Sequence, residues 1–139
     1  MDQALVELLR DWLNKASEDL SSAEILGKAT PPQLGTALFH CQQASEKVVK
    51  AVLTHADVPF EKTHDITELL RLSPDRTRAF EPLRDSAGAL TPYAIVFRYP
   101  GLSSPPTQEQ FARAFADARE FMRVALSVLP DEVTEGFTV

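Results

Sequence analysis

The side chains with the most chemistry in this sequence lie between residues 40 and 50. His40, Gln43, Lys47 and Lys50 follow one another at intervals of three and four residues, which places them in one polar row if the segment is helical. Solvated helix faces mostly carry Glu, Lys and Arg, whereas this row includes an imidazole and an amide, which are directed donors and acceptors. The row is therefore either a solvated face or a contact surface for a nucleotide or a second protomer.

A carboxylate falls within the apolar stripe of the helix that precedes this row. Asp19 lies in the angular range of that stripe, and burial of an unpaired carboxylate costs several kcal/mol. Its partner could be Lys47, Lys50, His40 or Arg98. We expect structural polar pairing for Asp19.

Arg98 comes directly after a predicted helix end and before the turn Tyr99-Pro100-Gly101. Its guanidinium could hold a phosphate bidentately while Tyr99 stacks on a base. Alternatively, Arg98 pairs with Asp19 or with Glu46, which we also assign to structural pairing, and Tyr99 packs across the bundle. Both interpretations remain open at this stage.

Length and composition indicate one domain without a cofactor. A chain of 139 residues can bury roughly 70% of its unfolded surface, so it needs neither metal nor disulfide to fold. The single cysteine, Cys41, excludes an internal disulfide and a four-cysteine zinc site, and His40, His55 and His64 fit no metal-binding spacing. We predict no metal and no other cofactor.

Charge and hydropathy narrow the classes of partner. A net charge of −6 argues against indiscriminate nucleic-acid binding, which depends on many phosphate contacts. No apolar run approaches the roughly 18 residues of a membrane span, and the acidic start Met1-Asp2-Gln3 is unlike a signal peptide. We expect a cytoplasmic protein without membrane association.

Proline-marked breaks divide the chain into helical segments that must position these residues. The first runs from Asp2, its N-cap, to about Lys28. The second is predicted to begin at Thr30, in a capping box with Gln33, and to run to about Ala56.

A short third helix follows His64, with Asp65 as its N-cap and Glu68 completing a capping box. His64 itself is interpreted as part of this capping arrangement. The fourth segment begins at Ser73-Pro74, and Pro82 and Pro92 should bend or restart it, because an interior proline removes a hydrogen bond.

A loop is predicted from Arg98 to Pro106, and Thr107 and Gln110 form the capping box of the last helix. No pattern favours a pair of strands. The predicted fold is all-α, an up-and-down bundle of four main helices plus one short helix. It forms a single domain over 1–139, with a core of about 3–130 and a frayed acidic tail at 131–139.

Three motifs, in order, resemble the HEPN domain (higher eukaryotes and prokaryotes nucleotide-binding). They are FHCQQASEKVVKA at 39–51, THDI at 63–66 with two leucines at 69–70, and YA at 93–94 leading to FRYPG at 97–101. The match extends from about Leu5 to Leu129. The resemblance implies an all-α bundle that forms a homodimer. In prokaryotes it implies frequent pairing with a small nucleotidyltransferase in toxin–antitoxin-like modules.

The resemblance also implies that many members are metal-independent ribonucleases, with an Arg followed four to six residues later by His and a site assembled across the dimer. This sequence departs from that motif, because no histidine follows Arg98 and the last imidazole is His64. Acid–base cleavage of RNA needs a group that titrates near neutrality. The sequence therefore argues against an enzyme.

Three functional hypotheses follow. In the first, the protein is a non-catalytic, dimeric component that binds a nucleotide or partner beside a nucleotidyltransferase. In the second, it is a metal-independent endoribonuclease with a non-standard site of Arg98, His40 and Lys47, and in the third it is a purely structural dimer. The candidate contacts to a nucleotide or RNA ligand are His40, Gln43, Lys47, Lys50, Arg98 and Tyr99.

Overall fold

Six α-helices and no strands make up the chain, which a computed structural model describes from residue 1 to 139. The helices are α1 (Gln3–Lys28), α2 (Leu34–His55), α3 (Ile66–Arg71), α4 (Arg84–Leu90), α5 (Gln108–Val128) and α6 (Asp131–Thr134). Two 3-10 turns, Arg78–Leu83 and Thr91–Ala94, flank α4. The prediction of an all-α bundle is confirmed. None of the helices combines the length and the apolar character needed to cross a bilayer.

Helix α2 is the central element of the bundle. It packs mainly against α1 and α5 and also contacts α3, α4 and the Thr91–Ala94 turn. Its apolar face is buried, and so is the neighbouring flank that carries Gln42, Glu46, Val49 and Leu53. Polar groups on that flank therefore lie inside the bundle and need partners there.

The helix ends follow local capping chemistry in three of the predicted places. The Asp2 carboxylate accepts from the Ala4 N–H at 3.3 Å, and Thr107 and Gln110 form a reciprocal capping box at the start of α5. The Asp65 carboxylate accepts from the Glu68 N–H at 3.1 Å. The predicted return contact from Glu68 is wrong, because its carboxylate pairs with Arg71 instead.

The predicted start of the second helix is also wrong. Helix α2 begins at Leu34, after Gln33, and no side chain caps this end. The Gln33 N–H instead donates to the Leu26 carbonyl at 2.8 Å, so the chain first turns back onto the end of α1. The expected role of Thr30 as N-cap is thereby excluded.

The proline-containing stretch behaves as expected. Pro82 lies inside the Arg78–Leu83 turn, and Pro92 lies near the start of the Thr91–Ala94 turn. The region is therefore a series of short helical pieces. It leads into the loop that carries Arg98 and Tyr99.

The carboxy-terminal segment is not the frayed acidic tail that its composition suggested. Val133 in α6 is fully buried, and the Arg10 guanidinium of α1 donates to the carbonyls of Val133 and Glu135, both at 2.9 Å. The same guanidinium lies 5.0 Å from the ring centroid of Phe137. This single arginine therefore attaches the end of the chain to its first helix.

Candidate functional site

The polar residues of α2 form two clusters, each centred on a buried carboxylate. The predicted single outward row is therefore only partly present. In the first cluster, Asp19 of α1 accepts from His40 Nδ1 at 2.8 Å through Oδ1 and from Lys47 Nζ at 2.6 Å through Oδ2. The carboxylate is buried, so both of its oxygens need partners, and these two contacts supply them. Neither Lys50 nor Arg98 pairs with Asp19.

The second cluster surrounds Glu46, which is 3% exposed. Lys50 Nζ lies 2.8 Å from Oε2, and Gln42 Nε2 and His64 Nδ1 lie 3.2 and 2.7 Å from Oε1. The amide of Gln42 also donates to the His64 carbonyl at 2.9 Å. This cluster therefore joins α2 to the segment before α3.

Lys50 and Gln43 have structural partners that remove them from the outward row. The Lys50 ammonium is buried against Glu46 and lies 5.6 Å from the ring centroid of Phe60. The prediction that Lys50 extends outward in the polar row is therefore wrong. Gln43 Nε2 donates to Gln42 Oε1 at 2.8 Å, so Gln43 buttresses the second cluster.

Sequence reasoning missed the role of His64. Its imidazole contacts Glu46, while the neighbouring Asp65 does the capping that was assigned to both residues. The contact joins positions 18 residues apart in the chain, and no local spacing rule predicts it. The one available signal was that Glu46 shares a flank of α2 with the apolar residues Val49 and Leu53.

His40 and Arg98 come together in one open groove at the amino-terminal end of α2. The guanidinium carbon of Arg98 lies 4.6 Å from the ring centroid of Phe39 and 6.0 Å from that of Tyr99. One guanidinium nitrogen donates to the Ala94 carbonyl at 3.2 Å, which leaves the other nitrogens available to a ligand. The lining residues of the groove are Gly35, Thr36, Phe39, His40, Phe97 and Arg98.

A glycine allows the two walls of this groove to approach. A Cβ at Gly35 would lie 3.0 Å from the Cβ of Phe97, tighter than ordinary van der Waals contact. The absence of a side chain in the first turn of α2 therefore lets the segment with Phe97 and Arg98 pack directly on the helix.

The groove is electropositive for two reasons. Arg98 is a permanent cation, and the first turn of α2, with Gly35 and Thr36, carries backbone N–H groups that no side chain caps. Lys47 contributes little, because it is paired with Asp19 and does not line the groove. Such a surface suits an anionic group.

The groove contains no activated nucleophile, and the chain gathers no metal-ligand cluster. Cys41 is buried on the apolar face of α2, and this burial raises the pKa of its thiol to about 12, so the thiolate is scarce near neutral pH. No three His, Cys, Asp or Glu side chains converge where they could hold a metal ion. The chemistry available to the groove comes from Arg98, His40 and the backbone.

Exposed apolar side chains surround Arg98 in the sequence. Ile95, Tyr99 and Leu102 are 53%, 57% and 56% exposed. Their concentration in one short segment, 95–102, differs from the scattered single residues that a protein surface normally shows. This segment is a candidate contact surface next to the groove.

Comparison with known proteins agrees with this architecture. The sequence model of the HEPN domain family matches residues 9–128 of the chain. Comparison with curated proteins gives no significant match. Among solved structures, the crystal structure of TT1696 from Thermus thermophilus is similar, with 27% sequence identity and a TM-score of 0.74. The alignment covers 87% of this chain and 98% of TT1696. The chain therefore belongs to the HEPN domain family.

Proposed function

We propose that this protein is a non-catalytic HEPN protein that binds a nucleotide in the groove between the first turn of α2 and Arg98. In this proposal it acts as a homodimer beside a nucleotidyltransferase, in a module of the toxin–antitoxin type. The observation that carries the proposal is the meeting of Arg98 and His40 at an uncapped helix start.

A nucleotide has three sources of stabilisation in this groove. The guanidinium of Arg98 offers several N–H donors in a planar fork that suits phosphate oxygens. The N–H groups in the first turn of α2 and the partial positive charge at this helix end add further donors. Tyr99, with its exposed ring, can stack on a base.

The absence of turnover in this proposal follows from what surrounds Arg98. No histidine follows it in the chain, no second Lys or Arg lines the groove, and Lys47 of α2 is neutralised by Asp19 at 2.6 Å. General acid–base cleavage ordinarily uses both a proton acceptor and a proton donor. The groove offers one partly buried imidazole, that of His40, for these two roles.

Calorimetric titration tests nucleotide binding. The wild-type protein should bind at least one of the common ribonucleotides, and Arg98→Ala should weaken the binding by tenfold or more. Arg78→Ala is the matched control, because Arg78 is an exposed arginine that pairs only with Asp75. Equal binding by the wild type and Arg98→Ala, or no binding of any nucleotide, would overturn the nucleotide proposal.

The partner proposal uses the Leu102 end of the exposed segment 95–102, and the homodimer uses the Ile95 end. Ile95 and Leu102 supply apolar area and lie in the same segment as Arg98, so a protein bound there would also touch the groove. Co-expression with a minimal nucleotidyltransferase from the same organism, followed by affinity purification, tests the pairing. A stable complex that Leu102→Glu disrupts and Leu8→Glu leaves intact is the expected result. A lack of co-purification would contradict it.

One observation favours a second candidate function, metal-independent cleavage of RNA. Asp19 holds the His40 ring through Nδ1, and a carboxylate-held imidazole beside an arginine is an arrangement that can move a proton and stabilise a phosphate. Incubation of purified protein with RNA decides between the two. Intact RNA supports the non-catalytic proposal, whereas cleavage that both His40→Ala and Arg98→Ala abolish would establish the enzyme.

A further inference from the structure

We infer that the groove is selective for a ribonucleotide with a single phosphate, and that His40 reads its ribose hydroxyl. This inference rests on the proposed nucleotide-binding function and specifies the ligand of the same groove. It follows from the charge in the groove, the pairing of His40 and the size of the opening.

The charge in the groove suits one phosphate and not a chain of three. Arg98 is the only Lys or Arg among the lining residues. Lys47, which shares the Asp19 carboxylate with His40, is paired there and offsets the charge of Asp19. A triphosphate carries several negative charges, and without further cations the second and third phosphates gain no partner while they repel one another. Additional phosphates should therefore add little affinity.

The pairing of His40 determines which ligand group it can recognise. The Asp19 carboxylate, when ionised, is only an acceptor, so His40 Nδ1 must carry the proton in their 2.8 Å hydrogen bond. In the neutral imidazole the other nitrogen, Nε2, is then an acceptor. His40 lines the groove whereas Asp19 does not, so Nε2 is the atom that the residue can offer to a ligand. An acceptor next to a phosphate-binding arginine matches a ribose hydroxyl, which donates.

The size of the groove agrees with a small ligand. Its volume of about 370 Å³ lies at the low end of the roughly 300–1,000 Å³ typical of ligand pockets. The aromatic rings of Phe39 and Phe97 line the groove, and Tyr99 lies beside Arg98 with its ring exposed. A sugar, one phosphate and a stacked base account for the available contacts.

Calorimetric titration at pH 8 with AMP, ATP, adenosine and 2′-deoxy-AMP tests the inference, with GMP, CMP and UMP replacing AMP if another base binds better. ATP should bind within about threefold of AMP, and adenosine should bind at least tenfold more weakly. The deoxynucleotide should bind roughly fivefold more weakly, the effect expected for one lost hydrogen bond. These comparisons use the wild-type protein, so they do not depend on the folding of a variant.

A His40→Phe variant then separates recognition from structure. It should lose the preference for AMP over 2′-deoxy-AMP while it retains phosphate-dependent binding, and His55→Phe, at the other end of α2, should behave as the wild type. ATP binding more than tenfold tighter than AMP, or equal binding of AMP and its deoxy form, would overturn this inference and leave nucleotide binding standing. If none of the nucleotides binds, the proposed function itself fails.

Discussion

Two buried carboxylates determine what the polar side chains of α2 do. Asp19 and Glu46 are each bracketed by one imidazole and one ammonium group. An unpaired buried charge is costly, and the two lysines of α2, Lys47 and Lys50, pair with these carboxylates inside the bundle. Arg98 is then the one cationic side chain that lines the groove. The same polar composition that suggested a ligand-binding row thus serves mainly to stabilise the fold.

Removal of the Lys47 ammonium group should reveal how much an incompletely paired Asp19 carboxylate destabilises the fold. In Lys47→Met the Asp19 carboxylate keeps only His40, and we expect the free energy of unfolding to fall by about 3 kcal/mol, as when a buried pair is broken. Lys15→Met is the control, since Lys15 and Glu18 form an exposed pair whose loss costs at most about 1 kcal/mol. Urea denaturation measures both variants. Equal losses would show that the Asp19 pair is not effectively buried.

Cys41 gives a pH dependence with a defined sign. Burial raises the pKa of the Cys41 thiol from an ordinary value of 9.0 to about 12 in the folded protein, so between these values the unfolded chain binds fewer protons. The contribution of this thiol to the free energy of unfolding is fully present below pH 9. It is lost as the pH rises from 9 to about 12, by up to about 1.4 kcal/mol per pH unit.

Denaturation of the wild type and of Cys41→Ala between pH 8 and 11 isolates this effect, because every other ionisable group is common to both proteins. The wild type should lose stability more steeply above pH 9. Parallel curves would show that the thiolate forms without a penalty in the folded state.

At the scale of elements, contacts between residues close in sequence could be predicted, whereas contacts between separate helices could not. The capping box of Thr107 and Gln110 predicted the start of α5, since both partners lie within one turn. The start of α2 was mispredicted because the decisive bond, from Gln33 to Leu26, crosses to another helix. The candidate site shows the same difference. His40 and Arg98 could be named from the sequence, but the other groove residues were not, and the burial of Lys50 depends on a segment whose position no periodicity specifies.

Replacement of glycine by alanine should have opposite effects on stability at two helical positions. A Cβ at Gly27, in the last turn of α1, would overlap the ring of Phe111 in α5, whereas a Cβ at Gly88 in α4 meets nothing within 4 Å. Gly27→Ala should destabilise the protein by about 2 kcal/mol through overpacking. Gly88→Ala should stabilise it by about 0.5–1 kcal/mol, since alanine favours the helix. Thermal unfolding measures both, and destabilisation by Gly88→Ala would contradict the packing described for α4.

At the scale of the whole molecule, Arg10 joins the two ends of the chain. Its hydrogen bonds to Val133 and Glu135, together with its contact to Phe137, attach α6 to α1. Arg10→Ala should release residues 131–139 while the bundle stays folded. Amide hydrogen exchange should then be faster in that segment and unchanged in α2, with Arg76→Ala as the exposed control. Unchanged exchange at 131–139 would show that Val133 alone anchors the segment.

The proposed dimer has to form against like-charge repulsion. Two copies together carry twice the net charge of −6, so association must overcome repulsion that salt screens over about 10 Å at 0.1 M. The exposed apolar side chains of 95–102 are the surface that can offset it. Light scattering at micromolar concentration should give twice the chain mass of 15.4 kDa, with a larger dimeric fraction as salt increases.

Ile95→Glu tests whether this segment forms the contact, because it places a charge on the proposed interface and adds to the like-charge repulsion. It should shift the protein to the monomer, whereas Leu8→Glu, at an exposed position on α1, should not. A wild-type monomer, or dissociation by Leu8→Glu alone, would contradict the proposed surface. Since Arg98 and Tyr99 lie within the same segment, the monomeric variant should also bind nucleotide more weakly. Loss of dimer and loss of ligand together in Ile95→Ala, which adds no carboxylate beside Arg98, would mean that association completes the groove.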